Sequence, residues 1–494
     1  MSHRHYGLLI DNQFVNSSDE SYYAIVNPAT GEVVGEVCRA TTEDVDAAVD
    51  SAYEAFQSWC ESDPRQRAEI LTTVAHQIQA SEDKLARLLT MEQGKTIAES
   101  RAELRMTSHA LEYYATLATH SRDRYIRLDE GEHGFVWKSP IGVCAAISPW
   151  NAPVVLSIVK VAPALAGGNT VVLKPASTTP LTVLEVGALF VRAGLPKGVL
   201  NIVVGPGAIV GETLIRNPKV RKIAFTGETE TGKHVMEVAA KGLKRVTLEL
   251  GGSDPMIVCD DADLDSAVNA CVLGRYRNAG QTCNSVKRLY ITKGIAQTFV
   301  RKLVERVNSI VVGNGLDPHV GMGPLHTLSQ RNNVEEMVSD ALQRGARVLA
   351  GGIRPENTTL SSGYYYLPTL LAEVDESSRV CREECFGPVL PVFTVADLKE
   401  AISRANDSPY GLDASIWTRD MEKAMWAAKK LEVGTVWINN LHVPRIEMPF
   451  GGVKNSGIGR ELGLEGLEEY LTTKSIILHE RGKTGVYSLK PLVN

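Results

Sequence analysis

The chain has 494 residues, 44% hydrophobic and 22% charged, with a formal net charge of −6; this length predicts about three folding units. So mild an acidity, without a basic stripe, argues against a nucleic-acid partner, and no run approaches the roughly 18 apolar residues of a membrane span. An N-terminus without a signal-peptide core, and eight cysteines too dispersed for a disulfide framework, point to a cytoplasmic protein in a reducing compartment.

In chain order, the first 40 residues read as short strands and turns, with an alternating stretch over Leu8 to Val15 and turn chemistry at Asn27 to Gly31. A helix is expected from Thr41, which stands three residues before Asp44 as a capping pattern; Val45, Ala48, Val49, Ala52 and Phe56 keep helical spacing. Helical periodicity then fills Arg65 to Leu117, broken near Ser81 and at Gly94. An alternating, charged stretch follows around Arg122 to Lys138.

From Gly142 to Leu250 short apolar runs alternate with helix-length segments. The predicted strands are Val143–Ile147, Thr170–Leu173, Leu200–Val204, Ile223–Phe225 and Val246–Leu248. The predicted helices are Val154–Ala166, Leu181–Ala193, Ala208–Arg216 and Thr231–Lys241. Such a pattern implies a parallel sheet covered on both faces, and these sheets bind ligands at the carboxyl ends of their strands. Trp150 and Asn151 follow the first strand, Lys174 the second and Gly227 the fourth, while Glu249 ends the last.

A second αβ series runs from about Gly252 to Asn440, with strands expected at Arg288–Ile291, Arg347–Leu349, Val389–Phe393, Ala414–Ile416 and Thr435–Ile438. The tail from Ser475 to Asn494 alternates and is too short to fold alone. Paired with the stretch near residues 122–138, it would form a projecting arm that joins subunits.

The chemistry centres on Cys283 and Glu249. A thiol attacks carbonyl carbon well at a modest thiolate fraction, and a carboxylate beside it can take a proton from the thiol or from water. That pairing points to a carbonyl electrophile, most simply an aldehyde. A cysteine is also commonly a small buried hydrophobe, as the seven others are expected to be; the polar run Asn278, Gly280, Gln281, Thr282 around Cys283 favours chemistry. No histidine lies within 30 residues of Cys283, so a papain-like pair has no local support. Glu249 ends an apolar strand, where a carboxylate is costly unless used or paired; a structural ion pair is its alternative. Asn151 could donate its amide to an oxyanion or be a plain turn residue. Lys174 could reach a nucleotide phosphate or ribose, or be solvated. Gly205 to Gly211 misses the dinucleotide fingerprint, whereas Gly227 to Gly232 opens a helix whose first N–H groups suit a phosphate. Metal binding is not expected: Cys381 and Cys385 lack a second ligand pair.

Taken together these residues resemble the aldehyde dehydrogenase superfamily over nearly the whole chain. The blocks are Pro149-Trp150-Asn151, Lys174-Pro175, Phe225-Thr226-Gly227, Glu249-Leu250-Gly251-Gly252, Gly280-Gln281-Thr282-Cys283, Glu384-Cys385-Phe386-Gly387-Pro388, and Pro449-Phe450-Gly451-Gly452 through Ser456-Gly457. The resemblance implies a thiohemiacetal and then a thioester on Cys283, an oxyanion hole from Asn151 and the Cys283 N–H, and hydrolysis by water that Glu249 activates. It matches Lys160 and Glu461 to a proton-relaying pair. Trp150, Lys174, Gly227, Thr229, Gly232 and Leu250 fall to the phosphates and adenosine of NAD or NADP, and Glu384 and Phe386 to the nicotinamide ribose and ring. With this resemblance the pattern divides the chain into a Rossmann-like parallel-sheet cofactor domain (1–119 and 141–251), a second α/β catalytic domain (252–450) and a small β oligomerisation arm (120–140 and 470–494) of a homodimer or homotetramer.

Departures from the family pattern bear on specificity. Glu228 replaces a serine that many members use for the pyrophosphate. Ser177 stands where NAD-preferring relatives often carry a glutamate for the adenine ribose, which with Lys174 nearby leans the expectation to NADP. Arg277 matches an arginine that semialdehyde relatives use to hold a distal carboxylate, yet their second arginine is Val159 here; Arg445, before Pro449, could compensate. A small polar or acidic aldehyde is expected, with an aromatic aldehyde as the other substrate class. An acylating, coenzyme A-dependent variant is disfavoured by Glu249, and a cofactor-independent cysteine esterase or hydrolase is the competing activity.

Overall fold

The Thr41 hydroxyl accepts the Asp44 N–H while the Asp44 carboxylate accepts the Thr41 N–H, closing the predicted capping box on the helix Thr42–Trp59. The computed structural model describes residues 4–120, 122–129, 131–356 and 360–479. Helices Pro64–Ala80, Glu82–Gln93 and Ile97–Ala118 follow, broken at Ser81 and Gly94 as expected. Gly94 sits at φ 102°, and a Cβ there would meet Pro28 Cγ at 2.8 Å, so both backbone shape and crowding require glycine.

The cofactor-type sheet has eight strands in the spatial order Gly457–Ile458, Arg245–Glu249, Val220–Thr226, Val143–Ile147, Thr170–Lys174, Leu200–Ile202, Leu8–Ile10, Gln13–Val15. Its five central strands are parallel, as the alternating pattern implied. The sheet as a whole is mixed, because distant segments add antiparallel strands at both edges. Local periodicity carries no information about such partners. In register, Ile147 lies beside Lys174 and Phe225, and Thr226 beside Glu249. The carboxyl ends of the strands therefore form one row. The segment expected as the helix Ala208–Arg216 splits into a π-type turn Gly207–Gly211 and a short helix Glu212–Arg216; its two glycines disfavour regular α geometry.

The second sheet runs Arg347–Ala350, Thr369–Ala372, Val389–Val395, Val286–Thr292, Asp254–Val258, Asp413–Trp417, Thr435–Ile438, with only the first strand antiparallel. Asp254–Val258 escaped the sequence reading because an aspartate and a proline open it. Each sheet has its own core. One runs from Tyr6 to Leu250 and takes in Ile446, Leu462, Leu467, Tyr470 and Leu471; the other spans Met256 to Leu431. Strands Arg124–Arg127, Glu132–Pro140 and Leu471–His479 form a separate antiparallel sheet that exposes Tyr125, Trp137, Ile477 and Leu478. Residues 480–494 of the expected arm lie outside the described residues. Among the described residues, no helix is long and apolar enough to cross a membrane.

One buried polar tie holds a key helix. Helix Pro153–Ala166 begins after Ala152, which offers no side-chain cap. Glu103 supplies one from a neighbouring helix: its Oε1 accepts the N–H groups of Val154 and Val155 at 2.8 and 3.2 Å. Its Oε2 pairs with Lys95, whose ammonium also donates to the Asn151 carbonyl at 2.7 Å. Both side chains are buried. Glu103→Ala strands an ammonium and two N–H groups, and we expect a loss of about 3–5 kcal/mol, read by chemical denaturation; an unchanged midpoint would refute the role.

Candidate active site

A cavity of 540 Å³ gathers Asn151, Glu249, Arg277, Cys283, Phe450 and Glu461, which lie up to hundreds of residues apart in the chain. Cys283 enters it through a strained turn. Asn278 and Ala279 hold φ of 51° and 54°, and Gly280 follows at 75°, a conformation that L side chains adopt only when the surroundings over-determine it. They do so here. The Asn278 N–H donates to Glu99 Oε1 at 2.7 Å and its side-chain amide to the Asn151 carbonyl at 2.9 Å. A Cβ on Gly280 would collide with the Gly387 carbonyl.

Burial pushes the Cys283 thiol up, the Lys287 ammonium opposes the rise, and Glu384, Asp254 and Asp413 add to it. All eight cysteines are free. Cys283 is only partly exposed, as is Cys60, which sits at the end of a surface helix rather than in the core as expected; the other six are buried. The Asn151 side chain is buried and donates to the Gln281 carbonyl at 3.0 Å, bridging the strand-end loop to the cysteine loop.

Glu249 ends its strand, is 4% exposed, and among the described residues neither carboxyl oxygen has a hydrogen-bond partner. That excludes the structural ion pair. Burial first, then Glu461, holds its pKa well above the usual carboxylate range, with Lys160 and Arg460 opposing. Gly451 packs so closely that a Cβ would lie 2.6 Å from Glu249 Oε1. Lys160 and Glu461 do meet, at 2.7 Å, both buried, and Lys160 also donates to Thr226 Oγ1 at 2.6 Å.

The residues assigned to a nucleotide lie along the row of strand ends and the loops facing it. Trp150 stacks on His326 at 4.6 Å between centroids and meets Phe386 edge-on at 5.4 Å. His326 was not anticipated. Its ring reaches Thr178 and the Gln93 carbonyl, and burial lowers its pKa to about 4, so it stacks as a neutral imidazole. Lys174 is not solvated: it is 5% exposed, among the described residues its ammonium hydrogen-bonds only the Pro175 carbonyl at 3.4 Å, and burial lowers its pKa to about 8. An ammonium so poorly satisfied suits an anionic or polyhydroxyl ligand. Ser177 donates its hydroxyl to the Gly205 carbonyl at 2.8 Å.

Gly227 precedes the helix Thr229–Lys241, whose N-cap residue Glu228 is exposed and makes no capping bond. The first-turn N–H groups thus lack a side-chain partner, which fits a phosphate. Thr229 donates to the Asn455 carbonyl at 3.3 Å, and Gly232 lets Leu250 pack where a Cβ would stand 2.3 Å from its side chain. Glu384 accepts the Gly252 N–H at 3.1 Å and pairs with Lys287 at 3.1 Å, facing the same backbone.

Arg277 lines the cavity and donates a long, 3.5 Å bond to the His442 carbonyl; burial lowers its pKa while Glu99 and Cys283 oppose. Val159 forms part of the apolar wall, and exposed Arg445 lines the same cavity. Among the described residues, Asp254, Asp413 and His442 bring one potential ligand atom each within 4.8 Å, all buried. No sequence pattern announces this group, since two members open different strands and His442 comes from a loop. Lys287 opposes the upward pKa shift that burial imposes on both carboxyls. Lys95, Glu99 and Glu103 were likewise missed as site supports, although the Thr96–Glu99 capping box was legible as a pattern.

The sequence profile of the aldehyde dehydrogenase family matches residues 14–476. Succinate-semialdehyde dehydrogenase (NADP(+)) of Escherichia coli (strain K12) is 40% identical over 475 residues, covering 94% of this chain and 96% of that protein. Betaine aldehyde dehydrogenase of Bacillus subtilis (strain 168) is 40% identical over 473 residues, covering 95% and 96%. The structure of betaine aldehyde dehydrogenase from Staphylococcus aureus in complex with NAD+ superposes with a TM-score of 0.95 at 38% identity, covering 98% of this chain and 97% of that one. With this extent of match, the chain belongs to the aldehyde dehydrogenase family.

Proposed function

We propose that this NAD(P)-dependent aldehyde dehydrogenase oxidises a small polar or acidic aldehyde, a semialdehyde in particular, to the carboxylic acid. The observation that carries the reading is a nucleophilic thiol, an unpartnered buried carboxyl and a weakly bonded arginine facing one cavity. As its thiolate, the thiol proton having been lost to water, Cys283 adds to the carbonyl carbon, and the oxygen that gains charge is held by the Asn151 amide and the Cys283 N–H. When bound, the nicotinamide supplies the acceptor for the hydrogen of the carbonyl carbon. Glu249 then takes a proton from water as that water attacks the Cys283 thioester; Lys160 and Glu461 lie where that proton can be passed on. Trp150, Lys174, Gly227, Thr229, Gly232 and Leu250 would hold the dinucleotide, and Glu384 and Phe386 its nicotinamide half. Arg277 holds the distal carboxylate and Arg445 screens it at the cavity wall.

We assign residues 1–119 and 141–251 to the cofactor domain, 252–450 to the catalytic domain and 120–140 with 470–494 to the arm, of which 480–494 lie outside the described residues; the exposed Trp137 and Ile477 support a homodimer or homotetramer. A panel of aldehydes assayed with NAD and NADP separately tests the whole reading through absorbance at the reduced-nicotinamide wavelength. Turnover without either nucleotide would favour a cysteine esterase instead, and preference for aromatic over acidic aldehydes would overturn the substrate class.

The lean to NADP has its own test. Ser177 brings no negative charge beside Lys174, so a 2′-phosphate meets an ammonium and no carboxylate. Ser177→Glu should shift the NADP-to-NAD ratio of kcat/KM by about tenfold or more toward NAD, the effect of roughly 1.4 kcal/mol of added repulsion. An unmoved ratio would remove Ser177 from cofactor choice.

A further inference from the structure

We propose that Lys287 is a positioning residue that ties the nucleophile's loop to the cofactor-facing carboxylate Glu384. The inference rests on the reading of Cys283 as nucleophile and Glu384 as a nicotinamide-side residue. Lys287 lies on the strand Val286–Thr292, four residues past Cys283, and its side chain is fully buried. Its ammonium makes three contacts: the Thr282 carbonyl at 3.2 Å, the Cys283 carbonyl, and Glu384 Oε1 at 3.1 Å. Three donors on a lysine thus meet three acceptors. Two belong to the turn that carries the thiol, and the third to a carboxylate that also accepts the Gly252 N–H.

The burial of so hydrated a group is expensive unless charge balances it. Glu384 carries the paired charge, and two further carboxyls on neighbouring strands bear on the ammonium. Asp254 opens the strand Asp254–Val258, and Asp413 opens the strand Asp413–Trp417 beside it. Both are buried and both feel the Lys287 charge. Asp254 Oδ1 accepts the Asp413 N–H at 3.1 Å, and Trp437 donates to Asp413 Oδ2 at 3.2 Å. Removal of the ammonium would leave two buried carboxyls and the half-buried Glu384 without the cation that bears on all three.

Two consequences follow. The ammonium fixes the carbonyl side of the Cys283 peptide, and so its angle of presentation, while its charge favours the thiolate. It also orients Glu384 toward the backbone of Gly251 and Gly252, where a ribose hydroxyl would need an acceptor. The charged groups that bear on the Cys283 sulfur are Lys287, Glu384, Asp254 and Asp413, with Arg277 beside the cysteine loop and Glu249 in the same cavity.

The test is the pH profile of iodoacetamide alkylation of the full-length enzyme without nucleotide, paired with the KM for NAD(P)+ against kcat. Lys287→Met should move the alkylation midpoint upward by about one pH unit or more and raise the KM for the nucleotide several-fold. Lys287→Gln keeps a polar head group and should recover part of the KM but not the midpoint; if Lys287→Met does not fold, Lys287→Gln carries both readouts. Folded variants with the parent's midpoint and the parent's KM overturn the proposal. Alkylation of Cys283→Ala at the parent's stoichiometry would instead overturn the assignment of the nucleophile, so the two failures are told apart.

Discussion

Glu249→Gln should retain a single fast burst of reduced nicotinamide and then turn over about 10² to 10⁴ times more slowly than the parent, the range of a lost general base. Cys283→Ala should show neither burst nor turnover. The split follows from the two residues' places in the cavity: the thiol must form the acyl bond, whereas Glu249 is needed only when water attacks it. Glutamine keeps the shape of the side chain, so the unpartnered pocket that Gly451 leaves for it is filled and the burst reports chemistry rather than unfolding.

The pH dependence follows with a definite sign. Burial and Glu461 hold the Glu249 pKa well above the ordinary carboxylate value. A raised acid is protonated and inactive as a base over a wider range, so kcat should climb as pH rises through that raised pKa. In Glu249→Gln this limb should vanish. Equal steady-state rates for variant and parent, or a rising limb that survives the substitution, would remove Glu249 from deacylation.

Arg277→Met should lower kcat/KM for a carboxylate-bearing aldehyde by about 10- to 150-fold, which corresponds to the roughly 1.5–3 kcal/mol of a hydrogen bond to a charged group. A neutral aldehyde of similar length should lose little. The guanidinium is the basis for this difference: burial already weakens its charged form, and its bond to His442 O is long, so an arriving carboxylate answers an unmet need. The same loss on charged and neutral aldehydes would mean that Arg277 shapes the cavity wall and does not read the substrate. Arg445→Met, at an exposed position, should cost less, because water screens its charge.

Much of the architecture could be read along the chain because it is set by interactions between near neighbours. The capping box at Thr41, the break at Gly94, and the five parallel strands with their helices all arise from spacing, turn chemistry and continuous apolar runs. The strand ends likewise announced Asn151, Lys174 and Glu249 as residues facing one side of a sheet. Where the local signal was mixed the reading slipped. Gly207–Gly211 departs from α geometry, and Asp254–Val258 opens with residues poor in strand propensity.

The order of its motifs makes this chain resemble the aldehyde dehydrogenases, and within it the Cys283 thiol and the strand-end Glu249 carboxylate betrayed themselves by type and neighbours. What surrounds them did not. The Lys95 tie to the Asn151 loop, the His326 ring behind Trp150 and the Lys287–Glu384 pair join segments tens to hundreds of residues apart, and the Lys160–Glu461 pair was expected from the family resemblance alone. Such contacts are chosen by how two sheets and their helices pack. Burial alone then turns an ordinary carboxyl into a raised base and an ordinary lysine into an anchor, because the energy of a charge depends on what has replaced water around it.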